Sequence, residues 1–137
     1  GPGALDAAGV PSLCIGADLL LPVQAAGAPE RALLVFSDES GLGRIVRGAL
    51  GAELAAAAML PVFTAHLASV LKSMALEGRG LAWLPQSLVR EELAAGRLLG
   101  AGPAHWRIPV EVRLYREPGP LGAHAEAFWQ AARALAG

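Results

Sequence analysis

The chain has 137 residues, 54% of them hydrophobic and 17% charged, with a net charge of −1. That is enough apolar material for one domain with a core, and it excludes a disordered tail. Neutralising a nucleic-acid backbone takes clustered Lys and Arg; with Lys72 as the single lysine and only scattered arginines, direct DNA or RNA binding is not expected.

The lone cysteine, Cys14, can form no internal disulfide, which suits a reducing cytoplasm. LCIGADLLLPV is the longest apolar run, but Asp18 and Pro22 interrupt it. It falls short of the roughly 20 residues a membrane helix needs, so no membrane partner is expected. The opening GPGALDAAG lacks the basic n-region of a signal peptide, and residues 1–11 read as a flexible segment.

DLLLPV, from Asp18 to Val23, and ALLVF, from Ala32 to Phe36, read as strands, with Gly27 and Pro29 as breakers between them. ALLVF is apolar throughout, which fits a strand covered on both faces. In SDESGLGRIVRGALG, Ser37 or Ser40 can cap a helix, and Asp38 and Glu39 sit near its positive end. Leu42, Ile45, Val46 and Leu50 follow a helical repeat, while Gly48 and Gly51 predict a weak or short helix.

MLPVF, from Met59 to Phe63, is strand-like, and Pro61 argues for an edge or a bulge. Thr64 is a candidate N-cap for a helix over Ala65–Glu77, whose stripe is Leu67, Val70, Leu71, Met74 and Ala75. Gly78 stands where a left-handed residue would end that helix. A short buried strand at Leu81–Leu84, a helix over Ser87–Ala95 stopped by Gly96, and a strand alternating over Val110–Tyr115 follow. A last helix over about 122–135 aligns Ala125, Phe128, Trp129, Ala132 and Leu135. Strands alternating with helices predict an α/β fold with a mainly parallel sheet.

Two glycine pairs invite a phosphate-loop reading. GRG at 78–80 has the reverse context, helix before strand, and reads as a helix stop followed by a turn. GLG at 41–43 follows a strand but lacks a third glycine. The hydroxyls of Ser37 and Ser40 and the nearby amides would stand at a helix N-terminus, which suits a carboxylate or other small anion. An ordinary capped helix accounts for the same residues.

His66, His105 and His124 are too far apart in sequence for a zinc pattern, so no metal is expected. No nucleophile elbow or Cys–His dyad can be argued, no cofactor loop is complete, and no catalytic residue is assigned. Cys14 reads as core, and so does Met74. Met59 and Met74 could also serve as a redox switch through sulfoxide formation.

LKSMALEGRGLAWLPQSLVREE, from Leu71 to Glu92, resembles LysR-type transcriptional regulators: a helix ending at a Gly-x-Gly turn, a buried strand closed by Leu-Pro, then another helix. EELAAGRLL, WRIPVEVRLYRE, DLLLPV and SDESGLGRIV also resemble segments of that family, in the family's order, over about Ser12 to Leu135. MAL-x-G-x-GLAWLP and RLYR look closest to a branch that includes hypochlorite-responsive regulators.

The resemblance implies a periplasmic-binding-protein-like (type II) α/β regulatory domain with an incomplete subdomain I. Residues 12–100 would form a region like subdomain II, and 101–137 the C-terminal part of subdomain I. It implies a non-enzymatic, cytoplasmic module that binds a small-molecule effector in a cleft between subdomains. DNA would be reached only through a domain not in this chain, and homo-oligomers would form. The effector-binding residues it implies are Ser37, Ser40, Phe63, Thr64 and His66, with the Gly78–Gly80 turn behind them. The helix around Phe128 and Trp129 would need another packing partner, such as a second copy. An extracytoplasmic solute-binding protein and a Met or Cys redox sensor are the alternatives.

Overall fold

The computed structural model describes residues 12–115, with side chains from 13 to 111. The chain divides into two compact units, one of Gly1–Asp18 with Pro109–Gly137 and one of Leu19–Ile108. The order is β1 (Ser12–Gln24), β2 (Ala32–Phe36), α1 (Gly41–Ala56), β3 (Leu60–Ala65), α2 (Ala68–Leu76), β4 (Ala82–Pro85), α3 (Gln86–Ala94), β5 (Leu99–Gly100), a 3-10 turn (Ala104–Trp106) and β6 (Ile108–Tyr115). The helix expected over 122–135, with Phe128 and Trp129, lies outside the described residues.

In the larger unit β1 runs antiparallel to both β4 and β5, with Val23 opposite Ala82 and Gln24 opposite Leu99. β2 and β3 pair in parallel. A parallel bridge joins Leu33 to Leu81: the Leu34 N–H donates to Leu81 O at 2.8 Å and the Leu81 N–H to Ala32 O at 2.9 Å. β3, β2 and β4 therefore point one way. The α/β class is as expected, with one correction: β1, a 13-residue strand that also pairs with β6, is reversed relative to β4 and β5, so the sheets are mixed.

β2 has the predicted limits, and four of its five residues are buried. Pro61 does mark a bulge. Leu33 faces Pro61 and Leu34 faces Phe63, so Val62 is the extra residue. Leu60 and Val62 are exposed on this strand.

α1 is neither short nor weak. It runs for 16 residues through Gly48 and Gly51. The Ser40 hydroxyl caps it, accepting from the Gly43 N–H at 3.4 Å, and Leu50 and Leu54 are buried on its inner face. Tertiary burial outweighs the propensity cost of two glycines, roughly 1 kcal/mol each. Ile45, placed on the apolar stripe by its spacing, is 40% exposed.

Thr64 does not cap a helix. It and Ala65 belong to β3, and Leu67 takes the N-cap position of α2 without a side-chain bond. The Ser37 N–H donates to Ala65 O at 2.9 Å, so ladder bonds hold this segment extended. α2 ends as predicted. Gly78 has φ +77°, its N–H donates to Ala75 O, and the Arg79 N–H donates to Met74 O. Gly80 is not a turn residue: a Cβ there would lie 2.7 Å from Ala32 O. Only glycine lets the chain pass this close to β2 on its way into β4.

The core gathers Val23, Leu34, Phe36, Leu71, Leu84 and Val89, with Ala75, Ala82 and Leu98. Lys72 ties α2 to α3. Its ammonium donates to Leu88 O at 2.9 Å and pairs with Glu92 Oε1 at 3.0 Å. That bond, first of all, holds the Glu92 carboxyl below the ordinary carboxylate range. In the smaller unit Leu13 is fully buried, whereas Cys14, expected in the core, is half-buried with its thiol 3.5 Å from Gly16 O.

Candidate effector site

The parallel pair β2–β3 carries its chain to one end, where Ser37 follows β2 and His66 follows β3. Their side chains meet: Ser37 Oγ lies 3.2 Å from His66 Nδ1, across 29 residues of sequence. The Ser40 N–H donates to Ser37 O at 3.0 Å, turning the chain into α1. Ser40 is 8% exposed, and its hydroxyl oxygen is engaged with the Gly43 N–H. The remaining N–H groups of the first turn, at Gly41 and Leu42, have no partner within the helix.

Phe63 and Thr64 lie on the same strand and alternate. Phe63 packs against the core cluster, and Thr64 is exposed beside Val35 in the ladder. The structure thus brings Ser37, Ser40 and His66 to one strand end beside the positive end of α1. Phe63 supports that end from within.

The arrangement can donate hydrogen bonds from hydroxyls, an imidazole and helix amides. Among the described residues no group of three or more His, Cys, Asp or Glu side chains could hold a metal ion. Among them, too, no helix is long and apolar enough to cross a membrane.

A second polar cluster was not apparent from spacing. Glu53 Oε1 on α1 accepts from the Trp106 indole N–H at 3.0 Å and lies 2.7 Å from His105 Nε2. These bonds, Trp106 first and His105 next, hold the Glu53 carboxyl below its ordinary range. The Trp83 indole N–H donates to Trp106 O at 2.8 Å, and the two indole rings lie 5.6 Å apart. Glu53 stands 52 residues from His105, and no sequence pattern joins them.

Polar groups gathered at the carboxyl ends of parallel strands, next to a helix N-terminus, are the layout of an α/β ligand-binding module. Residues 16–137 match the LysR substrate binding domain, and the chain belongs to that family. It is 31% identical over 109 residues to the HTH-type transcriptional regulator YjiE of Escherichia coli, covering 78% of this chain and 35% of that protein. The chain thus spans about a third of that relative's length.

The regulatory domain of HypT from Salmonella typhimurium in a bromide-bound form shares 31% identity and superposes with a TM-score of 0.76, over 90% of this chain and 63% of that one. Full-length HypT, a hypochlorite-specific LysR-type transcriptional regulator from the same organism, shares 29% identity with a TM-score of 0.77, over 91% and 46%. The fold is the periplasmic-binding-protein-like type II fold of LysR regulatory domains.

Proposed function

We propose that this chain is the sensing part of a LysR-type regulator, binding a small polar or anionic effector at Ser37, Ser40 and His66, with Thr64 and Phe63 completing the site. It has no enzymatic step. It transmits its state to a DNA-binding domain outside the chain and works in the cytoplasm as a homo-oligomer. The observation that carries this reading is the Ser37–His66 contact of 3.2 Å beside the start of α1. A ligand that favours one arrangement of such a domain shifts its populations, and that shift is the signal.

The test is the effector response of the intact regulator carrying Ser37→Ala or His66→Ala. Hydrogen bonds to a charged ligand contribute about 1.5–3 kcal/mol, so each change should move the dose–response at least about tenfold. Thermal stability should stay near the parent value. An unchanged dose–response in both variants overturns the site. Tight, salt-sensitive DNA binding by the isolated chain would overturn the division of labour.

A second reading, oxidant sensing through a methionine, is favoured by the similarity to the hypochlorite-specific HypT. Met59 and Met74 are both half-buried and within reach of a small oxidant. Gain of one oxygen at either residue under mild hypochlorite, together with altered DNA binding by the intact protein, would support it. Oxidation without that coupling leaves both as packing residues.

A further inference from the structure

A cavity of about 310 Å3 lies between α1 and β2. Leu33, Phe36, Leu54, Met59 and Trp83 supply apolar walls, and none of Ser37, Ser40, Phe63, Thr64 or His66 lines it. Its origin lies in two glycines on α1. At Gly43 an added Cβ would fall 2.9 Å from Phe36 Cβ and 3.0 Å from Ser37 O, so the first turn sits hard against β2. At Gly51, two turns on, an added Cβ would meet only Arg47 Cβ, at 4.0 Å. The helix is pinned at its start, and the cavity runs along it from Gly43 to Ala55.

Arg47 and Asp38 are the charged residues of the lining. Arg47 Nη1 is 3.5 Å from Asp38 Oδ1, and Nη2 donates to Asp38 O at 3.1 Å. The Asp38 side chain is 99% exposed and that of Arg47 44%, so the guanidinium stands at the mouth with its partner in water. An ion pair exposed to this degree contributes little, and another carboxylate can replace it. A guanidinium fork matches a carboxylate in two parallel bonds.

We infer that this cavity is a second ligand site, for a small apolar carboxylic acid: the ring system or short chain lies on Phe36, Leu54 and Trp83, and the carboxylate on Arg47. A cavity of roughly 150 Å3 takes one benzene ring, so this one has room for a bicyclic ring. Its volume is at the lower end of the range for ligand pockets. The cavity borders the first turn at Asp38 and Gly43, and Arg47 Nη1 reaches within 3.0 Å of where a Cβ on Gly43 would stand, but none of the residues assigned to the effector lines it.

The test is calorimetric titration of the full chain with 2-naphthoate, its neutral analogue 2-naphthalenemethanol, and acetate. The expected result is saturable one-to-one binding of 2-naphthoate, at least tenfold weaker binding of the alcohol, and no binding of acetate. Arg47→Gln should lower the affinity for the acid to that for the alcohol and leave the alcohol unaffected. Gly51→Leu should fill the space and abolish binding without lowering Tm, because leucine is the better helix former. Should Gly51→Leu fail to fold, Gly51→Ala adds one methyl group and should weaken binding severalfold.

Absence of 2-naphthoate binding, equal affinity for acid and alcohol, or parent-like binding by the Gly51 variants would each overturn the inference. Loss of binding in His66→Ala would place the acid at the effector site and overturn it as well. Because the two sites share no residue, failure here leaves the reading of Ser37 and His66 standing, and the reverse also holds.

Discussion

α1 and α2 pack in the same unit and end in the same way, yet they are held differently. α2 has nine residues, buries Leu71 and Ala75 completely, and is tied to α3 through Lys72. α1 has 16 residues, four glycines among them, and a cavity beneath it. Each ends in a left-handed residue whose N–H closes the last turn: Gly78 for α2 and Ala58, φ 57°, for α1. Helix length is a poor guide to anchoring. The short helix is fastened by Leu71, Ala75 and the bonds of Lys72, and the long one by its cap, two leucines and Glu53.

Six substitutions, in four tests, probe that contrast from the largest expected effect to the smallest. Leu71→Ala empties the centre of the tight region and should cost about 3 kcal/mol in a denaturant titration, whereas Ile45→Ala on α1 should cost less than about 0.5 kcal/mol. Gly80→Ala drives a methyl group against the Ala32 carbonyl, which is backbone and cannot swing away. It should cost about 2 kcal/mol and loosen β2 from β4, visible as faster hydrogen exchange at the Leu34 and Leu81 amides.

The Lys72–Glu92 pair makes a pH prediction. The folded-state pKa of Glu92 is lowered, so its contribution is present above the unfolded value and is lost as pH falls through the folded one. Tm should therefore decline on acidification from roughly pH 5 to 3, and Lys72→Met should flatten that decline. An identical acid slope in the variant would detach Lys72 from the effect.

The smallest change has the opposite sign. Ala58→Gly relieves a left-handed residue and should raise stability by about 0.5–1 kcal/mol, while Gly78→Ala, its mirror image on α2, should lower it by at least as much. Equal effects of one sign would mean that the two helix ends are not equivalent.

Much of the element order could be read from the chain itself. ALLVF is apolar throughout and became a buried strand with the expected limits, because a period that needs cover on both faces leaves few alternatives. Pro61 announced its bulge and Gly78 its helix stop, since each rests on a backbone property of one residue. The failures have a common cause. Thr64 looked like a cap because its chemistry allows one, but the partner that kept it extended, β2, lies about 30 residues earlier in the chain. Gly80 looked like a turn because glycine often makes one; the carbonyl of Ala32, which forbids a side chain there, is distant in sequence.

The candidate site divides along the same line. Ser40 as a helix cap follows from its place before an amphipathic run. That Ser37 faces His66 follows only from two parallel strands ending at one level, with a bulge at Val62 setting the register. Glu53, His105 and Trp106, and the space under Gly51, had no local signature at all. By itself the sequence determined what depends on neighbours a turn or a pleat away: the strands and helices, their stops, and the family resemblance that their order carries. The tertiary structure alone decided the reversal of β1 relative to β4 and β5, the meeting of distant polar groups and the cavity, because each depends on atoms brought together only when separate elements pack.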